Sequence, residues 1–426
     1  MTQKPPPPPI GIIPHHEFLK NVDAADFSAF EADPRTRVRS VAHFKEMQSH
    51  IKSLYRNMSV EHSFADSAGH VFDCVPIDQQ PSLHGKPHTK LPTPPDISAL
   101  TPGERGSGST ATDRVQPQLS AAKRDRHGNV MHCPSGTIPV RRVTLDELTR
   151  YATLGDFFRK LPPALATMER PSAPNASDES QNHRYAYTRQ TVNNIGGHSI
   201  LSVWQPAVVT PDQRMSLSQE WYTAGSGAST QTAEVGWQVL PDKYGHSQPV
   251  LFIYWTPDNY TTGNYNLDNP AFVQTNGNWA IGGALGPVST DGGQGYEIEI
   301  AFYLTGGNWW LYLGGTSAAN AVGYYPTALY NGGPMASAAE LITYGGETVC
   351  HAIGWGDMGS GRFASAGWQH AAYHRDIFYF PPAGGSAWAN LTAQQPSPGC
   401  YTVNLASAPD PWNIYFFYGG PGGTDC

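Results

Sequence analysis

Residues 232–245, TAEVGWQVLPDKYG, alternate in the manner of a strand up to Leu240 and then turn at Pro241. That period places Glu234, Gly236 and Gln238 on one face and Val235 and Trp237 on the other. A carboxylate inside such a run is costly unless it is paired or used. Glu234 therefore asks for a partner, and the rest of the chain shows where one can come from.

The same texture recurs on either side of this stretch. SILSVWQP, MSLSQEWYTA, LFIYWTPD, YEIEIAFYL, NWWLYLG, IFYFPP and NIYFFYGG are short aromatic and β-branched runs, separated by Gly, Asn, Pro and Asp. The spacing predicts a mainly β protein built as an antiparallel sandwich. The totals agree: 426 residues with 44 Gly, 37 Pro, 11 Trp and 21 Tyr favour turn-rich sheet over helix.

Upstream of residue 182 the pattern differs. Residues 1–14 form a proline-rich leader, expected to be extended and mobile. TRVRSVAHFKEMQSHIKSLYRNM places Val38, Val41, Phe44, Ile51 and Leu54 near helical spacing. A second helix is expected in TLDELTRYATLGDFFRKL, where Thr144 and Glu147 make a capping box ahead of Leu148, Tyr151 and Phe158. Residues 85–128 read as polar loop. LPPALATMERPSAPNASDES reads as a linker, which divides the chain into 1–14, 15–160, 161–181 and 182–426.

Charge divides at the same place. The chain carries 27 Lys+Arg against 35 Asp+Glu, but only six of the bases lie beyond residue 181. The downstream part is -9 and the upstream part +1. An acidic chain with no basic stripe excludes nucleic acid as a partner. No apolar run reaches ~18 residues, so no membrane span is expected. The opening MTQKPPPPPIGIIPHHEF lacks the apolar core of a signal peptide. A lysine-poor acidic β-domain tolerates low pH, because few cations repel one another once its carboxylates are neutral.

The candidate chemistry rests on a few acids. Glu297 and Glu299 alternate in YEIEI and share one face, most simply a solvated one; Glu220 reads as rim decoration. Glu347, in TYGGETV, differs, because two glycines permit close approach of backbone or substrate. Two carboxylates on facing strands can share a proton, so that one activates water while the other donates. Other sets are weaker. GGTSAAN is similar to the serine segment of subtilisin-like proteases but has no matching Asp or His segments, and RHGNVMHC has no second ligand pair for zinc. No metal or cofactor is expected. The five cysteines form no CxxC, leaving two disulfides with one thiol, or five thiols, both open.

In these segments the chain resembles the neprosin family. FDCVPIDQQPSLHG and CPSGTIPVRR are similar to that family's activation-peptide region. AEVGWQVLPDKYG, LFIYWTPDNYTTGNYNLDNPAFVQTN, GNWWLYLGG, VGYYPTALY, YGGETV, MGSGRF and YFFYGGPGG follow the family's order. The resemblance implies a secreted glutamic endopeptidase cleaving after proline, made as a zymogen whose own prosegment is a partner. It assigns catalysis to Glu234 and Glu347 and implies a proline-rich peptide or protein as substrate. Gln238, on the face of Glu234, is a candidate to orient water or carbonyl, and Tyr254 and Tyr344 are candidates to line a proline-sized pocket. Two departures stand out: Asn264 and Asn269 replace a cysteine pair common in plant relatives, and Tyr344 replaces the usual tryptophan. The cysteines are expected to divide by domain, Cys74 with Cys133 and Cys400 with Cys426. From another class, a non-catalytic carbohydrate-binding or wall-associated sandwich fits the same composition.

Overall fold

Beyond residue 182 the aromatic and β-branched runs become strands, and their alternation sorts them into two antiparallel sheets. A computed structural model describes residues 9–85, 90–103, 112–160, 182–208, 213–350, 354–424 and 426. The first sheet has seven strands, in spatial order Asn264–Tyr265, Val250–Thr256, Gln231–Val239, Gln213–Ala224, Ala339–Cys350, His183–Asn194 and Thr392–Gln394. The second has ten, with Asn308–Leu313, Gly295–Thr305, Gly196–Ser202 and Ala372–Tyr379 at its centre; nine lie beyond residue 182, and the tenth, Thr112–Arg114, comes from upstream and pairs parallel with Gly295–Thr305.

The sheets pack face to face. Val235, Trp237, Leu251 and Ile253 of the first meet Ile298, Ile300, Phe302, Trp309 and Leu311 of the second in one buried cluster. Each such side chain contributes roughly 1.5–3 kcal/mol by leaving water. Trp237 also ties the layers together, its Nε1 donating to Ser202 O at 2.9 Å. The fold class is therefore a mainly β sandwich, as its alternating runs imply.

The upstream region packs on this sandwich. A three-stranded sheet of His62–Ala65, Val71–Pro76 and Thr137–Arg141 forms its centre. The expected helix runs Val41–Leu54 and buries Phe44, Met47, Ile51 and Leu54; Val38 precedes it and Val41 is exposed. The second expected helix is two, Leu145–Leu148 and Leu154–Phe158, because Thr153 and Asp156 form a further capping box. A helix at His15–Ala24 had no strong apolar stripe to announce it, burying only Val22. The described end of the leader is pinned rather than mobile: Ile10 exchanges hydrogen bonds with Asn129, and Arg142 donates to Ile13 O. The linker, 161–181, lies outside the described residues.

Disulfides join Cys74 to Cys133 and Cys400 to Cys426, with Cα separations of 5.3 and 5.8 Å. Cys350 is a buried thiol donating to Gly354 O at 3.5 Å. Three acids depart from expectation. Glu297 and Glu299 are buried, not solvated, held by Arg375, Tyr373 and His198 together with Arg114 of the upstream region. Glu220 is no rim residue; it lies fully buried between the sheets.

Candidate active site

The two glutamates come together on the outer face of the seven-stranded sheet. Glu234 sits on Gln231–Val239 and Glu347 on Ala339–Cys350, with the strand Gln213–Ala224 between them. On that central strand Trp221 pairs with Glu234 and Leu217 with Glu347, so Gln219 falls between the acids. Both carboxylates are buried.

Each carboxylate has one oxygen anchored by the sandwich. Glu234 Oε1 accepts from Tyr260 OH and from Thr232 Oγ1, each at 2.8 Å. Glu347 Oε1 pairs with His183 Nδ1 at 2.6 Å and accepts from Tyr185 OH at 3.3 Å. The second oxygens converge on a single ammonium from the upstream region. Lys160 Nζ lies 2.6 Å from Glu234 Oε2 and 3.4 Å from Glu347 Oε2. Gln219 completes the ring: with its amide turned to satisfy both ends, its nitrogen donates to Glu234 Oε2 at 3.1 Å and its oxygen accepts from Lys160 Nζ at 3.0 Å.

Electrostatics follow from this geometry. Burial pushes the Glu347 carboxyl up, but the Lys160 ammonium and His183 outweigh it and hold the group down at about 2. Burial disfavours the charged form of Lys160, and the two glutamates overcome this and raise its pKa. Burial pushes the phenols of Tyr185 and Tyr260 far up, with the neighbouring glutamates adding to it, so both remain donors.

The other sequence candidates separate. Tyr254 pairs with Glu234 across strands, stacks on Tyr260 at 5.9 Å and lies on the glutamates' face with Trp221 and Tyr265. Gln238 shares Glu234's face but donates to Tyr244 OH at 2.9 Å. Tyr344 is not brought to the glutamates. It lies on the opposite face of its strand, 6.1 Å from the His374 ring and inside the intersheet core, because one residue of parity separates it from the Glu347 side. The two glycines serve packing: a Cβ on Gly345 would meet Ala186 O at 2.5 Å, and one on Gly346 would meet Tyr418 and Met358.

Several residues went unread in the sequence. Gln219 and Trp221 alternate in SQEW, and Thr232 shares the Glu234 face, so strand parity alone could have found them. His183 and Tyr185 alternate in NHRYAY in the same way. Tyr260 arrives on a loop at φ 60, with no local signal. Lys160 is the last cation before the linker, and only tertiary packing aims it.

The upstream region makes further charged contacts with the sandwich. Arg141 reaches Asp268 at 3.4 Å, Arg114 reaches Glu297 and Glu299 at 3.2 and 3.3 Å, and Arg37 reaches Asp242 at 4.0 Å. Carboxylate–cation pairs thus cross this boundary at several points among the described residues.

The neprosin family model matches residues 212–421, and the neprosin activation peptide model matches residues 63–189. Among solved structures, the chain is similar to scytalido-glutamic peptidase with a transition state analog inhibitor: 8% identity, 56% of this chain, 98% of that chain and a TM-score of 0.29. SCP-B, a member of the eqolisin family of peptidases in complex with the tripeptide Ala-Ile-His, gives 6% identity over the same shares, with a TM-score of 0.27.

Proposed function

The chain belongs to the neprosin family, and from that premise and the groove's geometry we propose a glutamic endopeptidase held latent by its own prosegment. One observation carries the reading. Each glutamate has Oε1 fixed by sandwich residues, while both Oε2 atoms are offered to one removable cation, Lys160. A scaffold with no use for these acids would neutralise them from within its own fold.

With Lys160 withdrawn, a water takes the place of its ammonium. Burial then acts on the pair without its main counter-charge, so the two carboxyls share one proton. The ionised member removes a proton from water as the oxygen attacks the scissile carbonyl carbon. The protonated member donates towards the developing oxyanion, which also receives the Gln219 amide, and the leaving amine takes up the proton on collapse. His183, Thr232 and Tyr260 hold the carboxyls in line. Tyr254, Tyr260 and Trp221 give the groove an aromatic wall suited to an apolar ring, which supports cleavage after proline. Gln238 fixes the groove floor through Tyr244.

Activation in acid fits the same groups. Glu347's folded pKa is depressed, so its contribution to holding the prosegment is present above its ordinary value, about 4.3, and lost as pH falls towards about 2. Lys160's raised pKa keeps its contribution intact at every pH below about 10.4, so acid acts through the carboxylates. The two disulfides and the family support a secreted protein; among the described residues no helix is long and apolar enough to cross a membrane.

The test is acidification of the full chain with mass-spectrometric mapping of every cut. The expected outcome is loss of roughly 160–180 residues, the length of prosegment plus linker, followed by cuts after proline in added peptides. Glu234→Gln should block both. Trimming that proceeds unchanged in that variant would remove the self-processing step, and saturable retention on polysaccharide without peptide cleavage would favour the carbohydrate-binding alternative.

A further inference from the structure

A second surface of the sandwich is also covered by the prosegment, far from Lys160 in the chain. On the outer face of the ten-stranded sheet, Trp310, Tyr312, Tyr324, Phe378 and Phe380 form an aromatic cluster with Val273 and Ala301. Trp310 and Tyr324 lie 4.8 Å apart, and Tyr303 meets Phe380 at 5.0 Å. The cover is a strap, LPTPPDI, residues 91–97, with Ile97 fully packed in the cluster and Leu91 against it.

The strap's burial repeats every three residues. Leu91 and Pro92 are partly buried and Thr93 exposed; Pro94 and Pro95 are partly buried and Asp96 exposed; Ile97 is buried. Neither helix nor strand gives that period, whereas a polyproline II chain turns once in three residues. The strap carries no regular secondary structure. Its backbone is gripped at two points, Tyr312 OH donating to Pro95 O at 2.9 Å and Ile97 N donating to Thr316 O at 3.1 Å. Aromatic grooves that read extended proline-rich chains work in this way.

The groove is only part-filled. A cavity of about 930 Å³ lies beside the strap, lined by Leu91, Pro92, Trp255, Pro257, Tyr324 and Leu329. The buried indole N–H of Trp255 has no acceptor among the described residues, a donor left for a peptide carbonyl. One loop joins this groove to the glutamates. Pro257 and Thr262 line the cavity, while Tyr260 between them donates to Glu234.

We propose that this groove is a second substrate-binding site, which takes proline-rich stretches in the three-residue-per-turn conformation once the prosegment leaves. It rests on the zymogen reading for the groove being vacated. Binding itself needs no catalysis, so the two can fail separately.

The experiment uses the full chain carrying Glu234→Gln, so that nothing is cut, with and without Leu91→Ser and Ile97→Ser to unseat the strap. The probe is a labelled peptide, KLPTPPDISAL. The unseated chain should bind it at least about tenfold tighter than the seated chain, and Trp310→Ala should cost about tenfold, as an aromatic anchor does. Replacing the peptide's three prolines by alanine should weaken it similarly. If the double variant does not fold by circular dichroism, Ile97→Ala alone should give the same order of affinities. A folded, unseated chain that ignores the peptide, an alanine peptide that binds equally, or an oligosaccharide that takes the groove in its place would overturn the proposal. Peptide binding by a chain whose wild-type form never cleaves would leave this site standing and remove the peptidase.

Discussion

Glu347 and Glu220 lie one strand apart in the same sheet, both buried, on opposite faces, and their surroundings drive them in opposite directions. Glu347 faces Lys160 and His183, which overcome burial and hold it ionised, at about 2. Glu220 faces Ser199 at 2.5 Å, Tyr222 at 2.6 Å and, through Ser199, the His374 ring. Burial outweighs the hydrogen bonds of Ser199 and Tyr222 and the nearby His198 and pushes Glu220 up to about 7, while burial pushes His374 down to about 3. That cluster is a set of neutral hydrogen-bonding groups in acid. Under the proposed function, this contrast separates the reactive acid from the structural one. A buried acid neutralised by its own proton is structural, whereas one neutralised by a cation on a removable segment becomes available when the segment goes.

The largest effect should come from the acids themselves. Glu234→Gln or Glu347→Gln should lower peptide cleavage by on the order of a thousandfold or more, measured as kcat/KM after the prosegment is removed. Glu220→Gln should leave cleavage within a fewfold. Equal losses at all three positions would erase the distinction between the two faces.

Next in size is the plug. Lys160→Met should leave two buried carboxylates without their cation and destabilise the latent chain by about 3–5 kcal/mol, read by denaturant unfolding before processing. It should also speed processing at pH values where the wild-type chain waits. A latent chain of unchanged stability and timing would show that Lys160 does not secure the prosegment.

Glu220 should respond to pH in the opposite sense to Glu347. Its folded pKa is raised, so the folded state holds a proton that the unfolded state releases above about 4.3, and stability falls as pH rises from there to about 7. The loss should be roughly 3 kcal/mol. Glu220→Gln should flatten this slope, measured by unfolding of the sandwich across that range; an unchanged slope would place the titration elsewhere. The smallest effect is expected at Arg114, about a third exposed, whose change to Ala should weaken prosegment retention by about 1 kcal/mol or less.

Period-2 alternation was enough to read a sandwich, and the proline-rich break after Leu161 and the lone Glu234 were enough to propose a two-part chain and one catalytic candidate. The cysteine pairs followed the same division. What misled was exposure. In YEIEI the alternation correctly put Glu297 and Glu299 on one face, but a strand does not say whether that face meets water or, as here, Arg375 and the prosegment's Arg114. Tyr344 was misplaced for a related reason: three residues from Glu347 is an odd step in a strand, and an odd step crosses the sheet.

Which side chains share a face follows from local pattern, because a strand's period is fixed by backbone geometry. The charge imbalance between the two parts of the chain is likewise additive and follows from the sequence. Which acids meet a cation depends instead on the folded chain. Lys160 joins Glu234 and Glu347 across 74 and 187 residues of chain, and Tyr260 is delivered by a loop, so no local pattern encodes either contact. Ionisation of a buried group depends on what packs within a few ångströms of it, and packing between distant segments is set by the fold as a whole.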